Sequence, residues 1–270
     1  MSASSINTST STRRANFKWV GKAVRQVIFY ILLILIWQGI ISLNIWPTYI
    51  FPGPLDVLDR LHGFLQNGSL ITAILVSLRR LVLGYSISLV IGVLFGLLIG
   101  SNRYVEETLG SLVLGLQALP SVCWIPLALL WFGLTENAMI FVVVMGALFS
   151  IALGVDAGIK NTPPVYIKAA RNMGSRGLAL SLQVILPAAL PSIITGLKQG
   201  WTFAWRSLMA AELIYVTVSL GGLLEGGRDF GDTAQVFAIM FIIVIIGIAI
   251  ETSIFGPLER NVRKRWGLSY

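Results

Sequence analysis

The side chains that proteins use for covalent and metal chemistry are scarce in this sequence. A single cysteine, Cys123, excludes an intrachain disulfide framework and a cysteine-based metal cluster, and it reads as a buried apolar residue. The lone histidine, His62, falls in a segment without ligand partners nearby, which makes it a solvated or interfacial residue rather than a metal ligand. There is no GxxxxGK[ST] phosphate loop, so the chain is not expected to bind and hydrolyse ATP itself. HExxH, GxSxG and paired-carboxylate constellations are also missing, which leaves a membrane-embedded enzyme nothing to work with. Charge is thin as well. Only 12% of residues are charged, against about 25% in soluble domains.

Apolar sequence takes their place. Of 270 residues, 56% are hydrophobic, and the mean hydropathy is +0.81. The net charge of +8 does not point to nucleic acid, because the basic residues cluster at the ends of apolar runs. That distribution is the signature of membrane orientation. The expected fold is an all-α polytopic membrane protein of about six transmembrane helices, with both termini cytoplasmic and lipid as its surroundings.

The chain divides into a cytoplasmic tail over 1–26, a first span over 27–44, an external connection over 45–68, a core over 69–256 and a cytoplasmic tail over 257–270. Residues 1–15 are rich in Ser and Thr and read as disordered. The first apolar run is too long for a signal peptide and lacks a small-residue cleavage site, so it reads as a retained span. The proline-broken stretch IWPTYIFPGPLDVLDRLHGF reads as an external connection with a short interfacial helix. Further spans are expected over 81–100, 109–132, 138–158, 189–214 and 236–255, with LGGLLEGGRDFGDTAQ as an external loop. Fourteen of the 20 Lys and Arg residues then fall inside, while Arg79 and Arg80 run mildly against the pattern.

Two features of the spans bear on packing. Gly84, Ser88, Gly92, Gly96 and Gly100 recur every fourth residue and leave one helix face nearly bare. Such a face suits close helix contact, within this subunit or along a seam with another. Pro120 and Pro126 predict kinks in the third span, which fit a gated pathway but are ordinary in membrane helices too.

Between the fourth and fifth spans lies a basic, glycine-punctuated stretch, VYIKAARNMGSRGLALSLQVILPAALP. Thr162 can cap a helix, with Pro163 at its first position. Helical spacing over Val165–Met173 puts Lys168, Arg171 and Asn172 on one side and Val165, Ala169 and Met173 on another. Gly174 offers a stop, and Pro187 a place for a new helix to begin. A small amphipathic hook on the cytoplasmic side of a membrane protein calls for a docking partner.

Four ionisable residues fall within the later spans: Lys198, Arg206, Glu212 and Glu251. Charges at membrane depth face protein or a water-filled cavity. Arg206 and Glu212 are six positions apart, hence on different sides of one helix and about 9 Å apart in depth. A cationic wall favours a passing anion. The alternative is structural: Lys198 and Glu251 snorkel, and Arg206 pairs with a carbonyl or another helix.

The hook carries a resemblance. Permease subunits of bacterial ATP-binding cassette importers have a cytoplasmic motif of Glu-Ala-Ala, three residues, Gly, nine residues, Ile-x-Leu-Pro. Here Lys168, Ala169, Ala170, Gly174 and Val184-Ile185-Leu186-Pro187 stand at that spacing, with lysine in place of the acidic residue. The stretches LPSVCWIPLALLWFGLTENAMIF, KAARNMGSRGLALSLQVILPAALPSIITGLKQG and AWRSLMAAEL resemble the nitrate, taurine, sulfonate and bicarbonate branch. The end of the chain is most similar to the aliphatic-sulfonate members. The resemblance implies a type I importer permease fold, a homodimer of permeases, two cytoplasmic ATPase subunits that hold ATP and Mg, and an external substrate-binding protein. It implies a coupling loop over 159–187 in which Lys168, Ala169, Ala170, Arg171, Gly174, Leu186 and Pro187 form the ATPase dock. Arg206 and Glu212 would line the pathway of a small oxyanion, and this chain itself would hold no cofactor. The rival class is an ion-gradient-driven secondary transporter, but the halves show no convincing repeat and no acidic residue stands at a mid-membrane coupling position.

Overall fold

A computed structural model describes residues 9–266 except 44 and 216, with side chains from Val24 onward except Leu178. Among these residues all regular secondary structure is helical. Helix α1 (Ser9–Ser42) begins well ahead of the expected start at 27, so the latter part of the Ser/Thr-rich stretch is helical; residues 1–8 lie outside the described part. Its apolar portion is Val24–Ser42, none of it buried. Trp37 ties it to the rest by stacking on Phe237 and donating its indole N–H to the Pro52 carbonyl at 3.1 Å. The interfacial helix appears as α2 (Pro54–Gln66), with Pro54 in its first turn and the Gly53 N–H bonded to the Asp56 carboxylate at 2.9 Å.

Helix α3 (Ser69–Ser101) is 33 residues long and starts directly after Gly68, whose φ is +72°. Arg79 and Arg80 therefore lie well inside a helix rather than at the start of one. The third span is more than kinked. Helix α4 (Arg103–Gln117) and helix α5 (Ser121–Phe132) meet at 100°. Tight turns close α4, with Ala118 N–H on Gly115 and Leu119 N–H on Leu116. Pro120, extended at ψ 137°, then cannot continue the helix, and a 3-10 turn over Ser121–Trp124 restarts it. Cys123 sits on that turn and is exposed, not buried as expected, because the break lifts it off the packed faces.

Helix α6 (Glu136–Lys160) runs through the middle of the molecule. Helix α7 (Pro164–Asn172) is the first half of the hook. A turn over Gly177–Leu180 runs without interruption into α8 (Ser181–Glu212). Pro187 therefore does not open a new helix. The turn ahead of it, Ser181–Ile185, is widened to π geometry, where a regular helix would push the proline ring against the carbonyl four residues back. Leu220–Asp229, expected as loop, is helix α9. Ser219 caps it by accepting from Gly222 N–H at 3.0 Å. Helix α10 (Thr233–Arg265) carries another π turn, Glu251–Phe255, just before Pro257.

Close helix contact organises the core around α6. On one side α3 presents its bare face: a Cβ on Gly92 would lie 2.9 Å from the Leu148 carbonyl, and one on Gly96 2.5 Å from the Ala152 carbonyl. On the other side α8 comes nearer still, and a Cβ on Gly196 would sit 2.6 Å from the Gly154 Cα. Without side chains at these points the backbones approach to the distance at which dispersion holds membrane helices together. Leu81, Val143, Ala147, Ile151, Val155 and Leu208 fill the spaces between. The small-residue stripe of α3 thus packs within the subunit.

Candidate functional site

The hook joins the ends of α6 and α8. Pro163 occupies the N-cap of α7 and Pro164 its first position, one residue later than expected. Thr162 is not the cap. It is buried, and its hydroxyl donates to the Gly158 carbonyl of α6 at 3.3 Å. At the other end Gly174 has φ +88°, Gly174 N–H bonds Arg171 at 3.0 Å and Ser175 N–H bonds Ala170 at 2.9 Å. These two bonds make a complete Schellman stop, which places Gly174 at the position that needs a left-handed residue.

The motif residues divide between two faces. Lys168, Ala169, Arg171 and Gly174 are exposed, together with Val165, Tyr166 and Met173. Ala170 is buried, because α7 rests on the widened turn of α8, so it spaces the hook from its own chain. Leu186 is partly buried and packs against the α6–α8 core, with Pro187 beside it also partly covered. They anchor the hook. Two ion pairs fasten its flanks: Lys160 of α6 reaches Glu106 of α4 at 2.9 Å, and Lys198 of α8 reaches Glu251 of α10 at 2.9 Å. Lys198 and Glu251 therefore pair with each other rather than snorkel separately.

At the opposite end of the bundle the structure gathers residues that sequence reasoning did not connect. Glu212, fully buried, accepts from the Ser77 hydroxyl at 2.8 Å, from Arg80 Nη1 at 3.1 Å and from Gly221 N–H at 3.1 Å. Arg80 also donates through Nε to Glu136 at 3.0 Å, and Arg79 pairs with Glu136 as well. Glu212 thus stands at the N-terminus of α9, where its charge meets the positive end of the helix dipole. These contacts tie α3, α6, α8 and α9 together, and they neutralise the two arginines that sat badly with the charge pattern. Enclosed this way, Glu212 has no exposed surface toward Arg206, and the two occupy separate places.

Arg206 lines a cavity of about 330 Å³ at the break between α4 and α5. Gln117, Pro120 and Ser121 form the break side of the wall, and Gly146, Phe149 and Phe203 the α6–α8 side. The Arg206 side chain is exposed and makes no ion pair or hydrogen bond among the described residues. His62 lies far from both places, on α2, bonded to Gln66 at 2.9 Å.

Comparison with known proteins fits this geometry. Residues 88–264 match the family model described as binding-protein-dependent transport system inner membrane component. The taurine transport system permease protein TauC of Escherichia coli is 29% identical over 267 residues, covering 95% of this chain and 96% of its own. The putative aliphatic sulfonates transport permease protein SsuC of Escherichia coli is 32% identical over 238 residues, covering 88% and 90%. Among solved structures, a chain of the MetNI methionine ABC transporter in an inward-facing conformation superposes with a TM-score of 0.64 at 20% identity, over 72% of this chain and 96% of that one. The fold is therefore that of type I importer permeases. This chain belongs to the family of binding-protein-dependent transport system inner membrane components, as a multi-pass ABC importer permease of the nitrate, taurine and sulfonate branch.

Proposed function

We propose that this chain forms the membrane pathway of an ATP-driven importer for a small oxyanion, with an aliphatic sulfonate or taurine as first candidate and nitrate or bicarbonate next. Two copies pair as a homodimer, an external binding protein delivers the anion, and two cytoplasmic ATPase subunits hold ATP and Mg. This chain contributes no catalytic group and no cofactor. The similarity to taurine and aliphatic-sulfonate transport permeases supports the substrate class.

The observation that carries the coupling role is the exposed, Schellman-terminated hook between two helices locked at Gly154 and Gly196. A partner groove takes the apolar stripe Val165, Ala169 and Met173, while Lys168 and Arg171 meet its polar rim. When ATP closes the ATPase pair, the hook moves with it, and α6 and α8 move together because backbone contact leaves them no room to slide. That motion opens the pathway outward, and hydrolysis lets it return inward, a two-state element biased from a distant site.

Reconstitution into proteoliposomes with the two partner chains tests this reading. Anion uptake is expected to require ATP and the binding protein and to stop with vanadate. Uptake driven by an ion gradient without ATPase would place the chain among secondary transporters instead.

A further inference from the structure

Resting on the reading of this chain as an oxyanion pathway, we propose that the permease carries its own anion-binding site where α4 breaks into α5. Arg206 supplies the charge, and Gln117 and Ser121 supply neutral donors. The bound class is a small singly charged oxyanion with a compact trigonal or tetrahedral head, such as a sulfonate. The site acts as a second selectivity step, separate from the external binding protein.

The argument begins with unmatched polarity. On α3, α6 and α8 every charged residue has a partner of opposite sign among the described residues except Arg206: Arg79 and Arg80 with Glu136, Arg80 with Glu212, Lys160 with Asp156, Lys198 with Glu251. An unpaired guanidinium at membrane depth is costly unless something mobile answers its charge. Depth follows from the helix rise. Gly146, on the cavity wall, stands ten residues into α6, about 15 Å along a hydrocarbon core of about 30 Å. No acidic residue lines the cavity, so its only formal charge is positive.

Gln117 supplies the second, independent observation. The residue is partly buried, its Oε1 is buried with no hydrogen-bond partner, and its amide nitrogen makes no hydrogen bond among the described residues. A buried acceptor left unpaired calls for a donor such as water, while the amide N–H groups are left to donate to an anion in the cavity. Across the break, Ser121 and Val122 line the same cavity, and neither backbone N–H finds a backbone acceptor. The Pro120 break thus removes the carbonyls that would otherwise have taken those donors. A guanidinium fork, an amide, a hydroxyl and free N–H groups around one small cavity make a set of donors that suits an oxyanion. A volume of about 330 Å³ leaves room for the anion and several waters, at about 30 Å³ per water.

Two experiments separate this site from the broader reading. In the full permease chain with Cys123→Ala, Ser121→Cys is labelled with 2-sulfonatoethyl methanethiosulfonate while ethanesulfonate or nitrate competes. Val122→Cys serves as a second reporter should the first chain fail to fold. The competing anion is expected to slow labelling, Arg206→Lys to keep most of that protection, and Arg206→Gln to remove it. In the assembled importer, Arg206→Gln and Gln117→Leu are each expected to lower ethanesulfonate import by about tenfold, the scale of losing a hydrogen bond to a charged group. ATPase assembly and anion affinity of the separate binding protein should not change. No anion protection in the chain that keeps Arg206, or equal protection in Arg206→Gln, overturns the site. Failure of the unsubstituted importer to move anions with ATP overturns the broader function, while protection at position 121 is read without any ATPase present.

Discussion

Gly154 and Gly196 meet backbone to backbone, and a Cβ on Gly196 would lie 2.6 Å from the Gly154 Cα. The hook is fixed at both ends to this pair of helices, so their contact decides whether a push on the hook bends one helix or moves two. Gly196→Val should separate α6 from α8 and cost roughly 1–3 kcal/mol, the usual scale of overpacking. Thermal unfolding of the purified chain in detergent measures it. Unchanged stability would mean that the helices can part without loss.

The Arg80–Glu212 contact supports a second prediction. Removing one partner of an enclosed ion pair leaves the other charge buried, which typically costs about 3–5 kcal/mol. Arg80→Ala should therefore destabilise the chain severely. Glu212→Gln should cost less, since the amide oxygen still accepts from Ser77 and Gly221 N–H, and Arg80 keeps Glu136. A chain that is more stable with Arg80→Ala than with Glu212→Gln would contradict this account of the cluster.

Lys198 and Glu251 make a useful contrast. Both side chains keep substantial exposure, 32% and 50%, so the pair should contribute at most about 1 kcal/mol. Lys198→Ala is expected to shift the unfolding temperature far less than Arg80→Ala does. An equal shift would show that the pair is more enclosed in the assembled protein than in the single chain.

Gly174 separates backbone from bulk. A Cβ there meets nothing within 4 Å, so only its φ of +88° opposes substitution. Asn tolerates the left-handed region and valine does not. Gly174→Asn should keep transport near the unsubstituted rate, and Gly174→Val should lower it strongly while the complex still assembles. Equal transport by both would remove the stop from the coupling path.

The sequence made the hook legible because its motif is a matter of spacing, and the Schellman stop at Gly174 is local. It showed the stripe of α3 as well, since glycines four apart stand out in an apolar run. Gly146, Ser150, Gly154 and Gly158 of α6 repeat at the same four-residue period, and what the sequence alone does not show is that this second stripe faces α8. Helix α9 was missed because Gly221, Gly222, Glu225 and Arg228 look like loop. What makes it helical is partly tertiary, since Glu212 reaches its N-terminus from another helix. The break at Pro120 was visible as a proline, but its 100° bend depends on how α5 packs against α6. Ala170 shows the converse limit: a small residue in the hook motif packs on its own chain.

The central claim is that the hook is where an ATPase subunit docks. Photocrosslinking in the assembled complex tests it most directly, with a photoreactive residue at Val165 or Met173, both exposed on the hook, and at Val244, exposed on the apolar stretch of α10, as control. The account predicts crosslinks from the two hook positions to the ATPase chain and none from position 244. Hook positions that capture no ATPase chain in a complex that hydrolyses ATP would contradict it.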